Sequence, residues 1–543
     1  MSDKEYKTER IDHLGIVAGI CNKIGLIEII DEQVGENERK VSVGQAVQAM
    51  ILNGLGFVGR PLYLTPEFFE NKPVDLLIGP EIKAEDLNDD SLGRALDVVF
   101  ERGVTELFVA VASRAVEQFG LEEKYRHVDS TTFSLHGQYE REKEEGAVEI
   151  TYGYSKDHRP DLKQVVLALI CSHQGSIPTW LGALDGNQSD KQSFPEIIQA
   201  YREQLAAEGE VYFISDSALY SADNLLSLRG VFWLSRVPAT LKAVKQLYQQ
   251  VDPADMHPAD EAGYRLLELG CDYGQVRQRW VLVYSEAAYH REVATLQRRL
   301  EKECERVTTA LAKLTTKEFK SEAGAKAAVT QLQQNWRFHC LDQITTQPVP
   351  HYHKPGRPRA DQAPDDFTWR VEATIRPDEQ AIAAQRQTKG KFVLATNQLD
   401  PDQLPAQEML RAYKQEGTAA ERGFRFLKDP LFFAHSLFLE KPERIMALLM
   451  IMGLSLLVYA LAEHHLRQQL QQQHQTIPNQ LGKPTTRPTM RRIFQIFEGI
   501  DILTIHHSAG GGSPPERRVL NLSPLHRQIL ALLGPEVQYC YHP

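Results

Sequence analysis

Three acidic residues lie in sequence contexts that suit metal-dependent chemistry. Asp129 lies within a short apolar run, Asp216 ends another, and Glu421 lies in a segment with a helical pattern. Two carboxylates held close together repel each other unless a hard divalent cation such as Mg²⁺ lies between them. A third acid completes a two-metal clamp for in-line attack on a phosphodiester. Taken singly, an Asp after a strand is more often a turn or cap residue, so only the arrangement of all three supports this prediction.

Two cations follow Glu421 on the same predicted helix. Arg425 and Lys428 stand four and seven residues after it, so helical geometry places all three on one face. A carboxylate that holds a metal, flanked by cations that hold phosphate oxygens, would suit a bound nucleic-acid backbone. The alternative is a solvated helix face with an ion pair between Glu421 and Arg425.

Two loops add further cations that suit a phosphate backbone. Lys156, Arg159 and Lys163 precede an apolar run, and we interpret them as backbone contacts near the acids. Arg357 lies in the string KPGRPR, a flat and extended pattern that resembles a hook for the minor groove of DNA. A solvated loop and a plain linker are the respective alternatives.

The apolar runs predict the elements that would position these residues. Strands are predicted for the run YRHVDSTTF, for Gln164–Ser172, Ile177–Leu184, Val211–Asp216 and Val231–Val237, and helices for Phe194–Leu205 and Ala222–Leu228. This β-β-β-α-β-α-β order, with one acid on the first strand and another ending the fourth, is that of a ribonuclease-H-like sheet. We therefore predict an α/β fold in which neighbouring parallel strands bring Asp129 and Asp216 together at one edge.

Other patterns surround this sheet. Apolar stripes before residue 120 predict helices, with Gly103 as a break between two of them. A hairpin, a charged helical hairpin and a loop at His351–Asp366 form a predicted insertion, after which a strand at Lys391–Asn397 and a helix at Glu408–Leu427 complete the core. We predict short helices at Met490–Phe497 and Pro524–Leu533, next to linkers at Gln468–Gln475 and Ser508–Glu516. The predicted segments are a helical N-terminal domain for DNA binding or assembly (1–120), the first part of the catalytic core (121–240), an α+β insertion (241–390), the second part of the core (391–462) and a helical C-terminal region (463–543).

Composition excludes some classes of protein and leaves others open. The 543 residues are 42% apolar and 24% charged, which excludes wholesale disorder. Six scattered cysteines without a Cys-x-x-Cys pair exclude a zinc ribbon or a disulfide framework and suit a reducing compartment. The net charge of −11 argues against a nucleic-acid partner, but residues 1–128 carry −9 of it, whereas residues 441–543 carry +4. No secretory signal is expected from the polar N-terminus.

One apolar stretch tests whether the chain enters a membrane. Ile445–Ala462 is a run of 18 residues without a charge, at the lower limit for a membrane span. A helix that is apolar on all sides inside a large α/β domain has the same composition. We favour the buried helix and expect no membrane partner.

Several strings together resemble a known family. YRHVDSTTF, YGYSKDHRPDLKQ, LGALDGNQSD, VYFISDSALYS, FVLATN and YKQEGTAAERGFRFLK occur in this order. They resemble DDE-type insertion-sequence transposases, in particular the group that has a Tyr-Arg-Glu-Lys signature and a large insertion before the third acid. The resemblance covers residues from about 120 to 460. The signature's Tyr and Arg positions hold Lys414 and Gly417 in this chain.

The resemblance implies a function and a site. It makes Asp129, Asp216 and Glu421 a catalytic triad for two Mg²⁺ ions, with Mn²⁺ as a substitute, and makes Lys428 a phosphate contact. The implied protein binds the inverted repeats at the ends of its element, cleaves the DNA and joins it to target DNA. The implied partners are double-stranded DNA and at least one further copy of the chain, in the cytoplasm of a bacterium and at its nucleoid. A metal-dependent nuclease and an inactive DNA-binding relic of a transposase are the alternatives.

Overall fold

The structure is a computed structural model. It describes residues 4–35, 39–57, 61–121, 124–139, 144–205, 210–353, 359, 362–429, 439–507 and 515–542, without the side chains of residues 205, 415–422 and 507. Arg357 and the side chain of Glu421 therefore lie outside the described part, as does most of the predicted linker Ser508–Glu516.

The N-terminal region is mainly helical, as predicted. It begins with one strand, β1 (Lys4–Arg10). The helices that follow are α1 (Leu14–Ile24), α2 (Leu26–Val34), α3 (Val43–Leu55), α4 (Thr65–Phe69), α5 (Val74–Leu77), α6 (Asp89–Arg102) and α7 (Val104–Phe119). Ser42 starts α3 with a capping box, since its side chain accepts from the Gln45 N–H while Gln45 bonds back to the Ser42 N–H. Gly103 separates α6 from α7 with a φ of 106°, so the predicted break is confirmed.

A mixed sheet of nine strands forms the centre of the molecule. In the described part of the chain, eleven strands lie between residues 125 and 396, and nine of them belong to this sheet. The eleven are β2 (Tyr125–Leu135), β3 (Lys163–Ser172), β4 (Pro178–Leu184), β5 (Tyr212–Ser215), β6 (Phe232–Arg236), β7 (His257–Pro258), β8 (Tyr264–Tyr273), β9 (Val276–Ser285), β10 (His339–His351), β11 (Asp366–Pro377) and β12 (Lys391–Thr396). Their order in the sheet is β4-β3-β2-β5-β6-β12-β9-β8-β7, with β10 and β11 outside it. Strands β2, β3 and β4 are antiparallel neighbours, whereas β5 and β6 run parallel to β2. The predicted ribonuclease-H-like order is thus present.

Helices cover both faces of this sheet. On one face lie α8 (Asp190–Leu205), α9 (Ala222–Ser227) and α10 (Lys242–Gln250), whose apolar side chains pack with alternate strand residues such as Val128 and Phe213. On the other face α14 (Ala406–Leu427) packs through Met409 and Leu410 against Tyr125 and Ile214. Because side chains alternate along a strand, this division assigns every strand residue to one of the two faces.

The predicted insertion has two parts. The hairpin of β8 and β9 is in the central sheet, where β9 pairs with β12. Beyond it, the helical hairpin of α11 (Glu286–Thr315) and α12 (Glu322–Gln333) packs on the two-stranded sheet of β10 and β11 around a small core of its own. Helix α13 (Glu379–Gln387) leads back to β12. The sequence analysis missed β10 and β11, and the five predicted segment boundaries stay predictions.

The long apolar stretch is a core helix of this fold. Helix α15 (Pro442–Gln472) is long and apolar enough to cross a membrane, but 89% of its most apolar window is buried inside the protein. At Gly453 the helix lies so close to β4 that an added Cβ would be 2.3 Å from Leu181 Cδ1. The apolar residues of this stretch are therefore in contact with the rest of the chain, as the buried-helix interpretation expects.

The C-terminal region differs from the prediction in two ways. Helix α15 continues to Gln472, so the linker predicted at Gln468–Gln475 is wrong for most of its length, because Leu470 is buried and holds the last turns to the core. Second, the region contains strands as well as helices. Its elements in chain order are β13 (Ile477–Pro478), β14 (Pro484–Thr485), α16 (Met490–Ile496), β15 (Asp501–His507), β16 (Glu516–Leu520), α17 (Pro524–Leu533) and α18 (Pro535–Tyr539). Strand β15 pairs with both β1 and β16, so the two ends of the described chain share one sheet.

Candidate active site

Two of the predicted acids lie at equivalent positions on neighbouring parallel strands. Asp129 is in the middle of β2, and Asp216 directly follows β5. The two strands pair in parallel with His127 opposite Ile214. Two residues further along each strand, the same register brings Asp129 level with Asp216.

Both aspartates belong to the face of the sheet that α14 covers. Asp129 alternates in phase with Tyr125, and Asp216 alternates in phase with Tyr212 and Ile214. These three apolar residues form a cluster with α14. The helix that carries Glu421 therefore lies over the two carboxylate-bearing positions.

The electrostatic environment of the two aspartates disfavours their negative charge. Burial, with a smaller contribution from the nearby carboxylate of Asp216, raises the pKa of Asp129 to about 6, although the Lys156 ammonium and a hydrogen bond of 2.7 Å from the Ser130 N–H oppose this. Burial also raises the pKa of Asp216, although the Ala218 N–H donates to it at 2.8 Å. Each of these groups still has an exposed fraction of side chain, so a cation can reach them. Their chemistry fits a hard divalent cation, which would remove the mutual repulsion.

Helix α14 runs along β2, and both of its ends are attached near that strand. At its start, Glu408 accepts hydrogen bonds from Tyr125 and, at 2.9 Å, from Lys124. At its end, the Lys428 ammonium lies 5.7 Å from the centre of the Phe133 ring.

This attachment gives the level of Glu421 along the strand. The helix rises about 20 Å from Glu408 to Glu421, which corresponds to about six strand residues beyond Tyr125. The backbone of Glu421 is therefore expected at about the level of Asp129 to Thr131. Among the side chains that the structure describes, no three His, Cys, Asp or Glu residues are grouped to hold a metal, and that of Glu421 is not among them.

Lys156 is fixed beside Asp129 by a residue that the sequence analysis missed. Its ammonium lies 2.8 Å from Asp190 Oδ2 and 2.7 Å from the carbonyl oxygen of Ser130, and 4.0 Å from Asp129 Oδ1. Ser130 Oγ also donates to the Asp190 carboxylate. Asp190 is the first residue of α8. Acids are common in the first turn of a helix because they interact favourably with the helix dipole, so its sequence position did not indicate a contact with Lys156. Its string LGALDGNQSD was the available signal.

The cations at the end of α14 lie in different surroundings. Lys428 donates to Asp157 Oδ1 at 2.7 Å, which joins the helix end to the loop that contains Lys156. Arg425 is exposed and lines a cavity next to α15. Arg357, predicted as a minor-groove contact, lies outside the described residues and stays a prediction.

The two other predicted cations of the loop point to partners within it. Arg159 makes a bidentate ion pair with Asp161, at 2.8 and 2.9 Å, in an exposed position. Lys163 donates to the carbonyl oxygen of Gln138. The structure thus brings Lys156 close to Asp129 and attaches Lys428 to the loop that contains Lys156, whereas Arg159 pairs within that loop. The roles of Arg159 and Lys163 as DNA contacts stay predictions.

A pair formed by the buried His127 and the partly exposed His173 lies beside the aspartates and was not predicted. His127 is two residues before Asp129, on the same face, and its Nε2 is 3.1 Å from His173 Nδ1. Burial lowers the pKa of His127 to about 3, so this ring is neutral at ordinary pH. The pair connects the strand of Asp129 with the turn between β3 and β4.

Comparisons with known proteins assign most of the chain. The family model of the transposase DDE domain matches residues 123–459. A second model, for a domain of unknown function (DUF4277), matches residues 6–113. No curated protein matches the chain.

A solved structure with similarity to the chain is the cryo-EM structure of the piggyBac transposase synaptic complex with hairpin DNA. It is 8% identical, with 91% of this chain and 82% of that chain covered at a TM-score of 0.36. A score this low adds no support, so the assignment depends on the family model. That model covers more than half of the chain, including the strands of the central sheet, Asp129, Asp216 and α14. The chain belongs to the DDE transposase family.

Proposed function

We propose that the chain is a DNA transposase that binds the terminal inverted repeats of an insertion sequence and catalyses Mg²⁺-dependent strand cleavage and strand transfer into target DNA. The observation that carries the proposal is the register of β2 and β5, which brings Asp129 level with Asp216 under α14. Membership of the DDE transposase family supports the same reaction class.

In this proposal Asp129, Asp216 and Glu421 hold two Mg²⁺ ions, with Mn²⁺ as a substitute. Bound ions would lower the pKa of the attacking water or hydroxyl and would neutralise charge that develops on the phosphate. The raised pKa values of Asp129 and Asp216 support this assignment, since burial disfavours both negative charges and a bound cation would stabilise them. Lys428 and Arg425 hold backbone phosphates at the end of α14.

Two displacements at phosphorus make up the proposed reaction. In the first, water attacks the phosphodiester at the element end, the bond from phosphorus to the 3′ oxygen breaks, and a free 3′-OH remains. In the second, this hydroxyl attacks a phosphodiester of the target, one P–O bond forms and another breaks, and no bond joins protein to DNA. The partners are double-stranded DNA and a second copy of the chain, in the bacterial cytoplasm.

A pair of assays separates this proposal from its alternatives. Purified full-length chain is incubated with duplexes that carry the ends of its own element, either intact or already cleaved to expose the 3′-OH. We expect cleavage of the first and joining of the second to a plasmid, both with Mg²⁺ or Mn²⁺ and neither with EDTA. Cleavage without joining would indicate a metal-dependent nuclease. Binding without either reaction in any metal would indicate an inactive relic.

Asp190 provides a finer prediction about the metal site. It holds the ammonium of Lys156 at 2.8 Å, and that ammonium is 4.0 Å from Asp129. In Asp190→Asn the ammonium loses its nearest charged partner and is free to pair with Asp129, where it competes with a cation. We expect the Mn²⁺ dissociation constant, measured by calorimetry, to rise about tenfold, which is the effect of one charge-assisted hydrogen bond.

A second substitution tests the cause of this effect. Lys156→Met removes the competing ammonium, so the double variant with Asp190→Asn should bind Mn²⁺ more tightly than Asp190→Asn alone. An unchanged dissociation constant in Asp190→Asn would show that Asp190 does not position Lys156 for this purpose.

A further inference from the structure

A large cavity lies beside the candidate active site, between the catalytic core and the C-terminal region. Its volume is about 610 Å³, within the range of pockets that bind small molecules and well above the needs of a single ion. The end of α14, the middle of α15, the turn between β3 and β4 and residues before and within α16 form its walls. It thus joins parts of the chain that are far apart in sequence.

Arginine side chains dominate the charge of this cavity. Its described lining contains four arginines and two carboxylates, which are Arg425, Arg467, Arg487, Arg491, Asp429 and Glu463. Arg467 pairs with Glu463 at 2.7 Å and Arg491 pairs with Asp429 at 3.4 Å.

Two of the four arginines remain available to a ligand. Arg425 and Arg487 are exposed, and within the described part of the chain neither guanidinium has a hydrogen-bond or ion-pair partner. The lining therefore has an excess of two positive charges, carried by forks suited to bidentate contact with phosphate.

The cavity and the candidate active site are linked by residues of α14 and by a histidine pair. Gly423 and Arg425, two of its lining residues, follow Glu421 by two and four positions on α14. His173, another lining residue, contacts His127, which is two residues before Asp129 on β2. A polyanion bound at the acids would reach the cavity within about one helical turn, which is about 5 Å.

We propose that this cavity binds the phosphodiester backbone of the DNA strand that extends from the active site, with Arg425 and Arg487 as its direct contacts. Arg467 and Arg491, whose charges are balanced by Glu463 and Asp429, shape the wall of the cavity. This inference rests on the proposed function and adds a binding surface to it. Arg467, Arg487 and Arg491 lie beyond residue 459, where the match to the transposase DDE domain ends. The C-terminal region thereby becomes part of the DNA-binding surface.

The test measures binding of full-length chain to a fluorescent duplex that carries the element end, by anisotropy in EDTA at several salt concentrations. Arg425→Ala and Arg487→Ala are each expected to weaken binding about tenfold and to reduce the salt slope by about 0.9, the value for one lost phosphate contact. Arg527→Ala is the matched control, because Arg527 is exposed in the same C-terminal region but does not line the cavity. It should bind as the wild type does.

The outcomes separate this inference from the proposed function. If wild type binds and cleaves element ends while both cavity variants bind as tightly as Arg527→Ala, the cavity inference is wrong and the function stands. If wild type does not bind DNA, both are wrong. Arg487→Lys keeps the charge without the bidentate fork and should retain the salt slope while it loses part of the affinity. Circular dichroism spectra identical to wild type identify variants that have folded.

Discussion

Asp216→Asn is expected to lower the rate of Mg²⁺-dependent cleavage at element ends by at least about 1,000-fold. Asn keeps the shape of the side chain and its hydrogen bond with the Ala218 N–H, which is 2.8 Å long in the native chain. It removes the negative charge with which the site would hold a cation. A loss of about 4 kcal/mol of transition-state stabilisation corresponds to this factor.

The same result is expected for Asp129→Asn, because the two residues are level on neighbouring parallel strands. Neither variant should be less stable than the native chain without metal. Burial raises the pKa of both carboxylates, so the native charges already oppose folding there. Cleavage is followed with labelled terminal duplexes, and stability by thermal unfolding.

The control for these variants is Asp402→Asn. Asp402 is exposed in the loop before α14, outside the sheet edge, and its variant should cleave at the native rate. If Asp216→Asn and Asp402→Asn cleaved equally fast, Asp216 would have no part in the reaction. Binding of the same duplex in EDTA should be unaffected or improved in Asp216→Asn, since its carboxylate repels phosphate.

The central sheet was predictable because its strands carry a strong local signal. The run Gln164–Ser172 is apolar from Val165 to Cys171 and became β3, which is buried along almost its whole length. Asp129 lies within one apolar run and Asp216 ends another, so parallel pairing of these two strands predicted that the two acids would lie close together. The break at Gly103 was predictable for a similar reason, because only glycine readily adopts the positive φ found there.

The missed elements have signals that are weak or distant. Strand β1 pairs with β15, in which Lys4 is opposite His507, and no local pattern encodes a pairing across almost the whole chain. Strand β10 is largely exposed and lacks the alternation that marks a half-buried strand. Strand β11 does alternate, since Trp369, Val371, Ala373 and Ile375 face the small core of the insertion, and the sequence analysis overlooked this signal. Asp190 and His173 became site residues only through contacts with Lys156 and His127, and such contacts between segments do not follow from residue type.

The second large effect is expected in the core helix α15. Leu457 has no exposed surface and packs in the largest apolar cluster of the molecule, which joins α15 to the N-terminal helices and to β3 and β4. Leu457→Ala is expected to lower the free energy of unfolding by about 2–5 kcal/mol, as for other buried leucines that leave a cavity. The measurement is the urea midpoint of the purified full-length chain, followed by circular dichroism.

Leu481→Ala distinguishes burial from the loss of a leucine as such. Leu481 is 80% exposed, so its truncation should change the free energy of unfolding by no more than about 0.5 kcal/mol. The comparison also tests the membrane alternative, because a lipid-facing Leu457 would leave no internal cavity when truncated and the native chain would sediment with membranes. Equal midpoints for the two variants, together with such sedimentation, would refute the core position of α15. A shift confined to Leu457→Ala would support it, and with it the packing that holds α14 over Asp129 and Asp216.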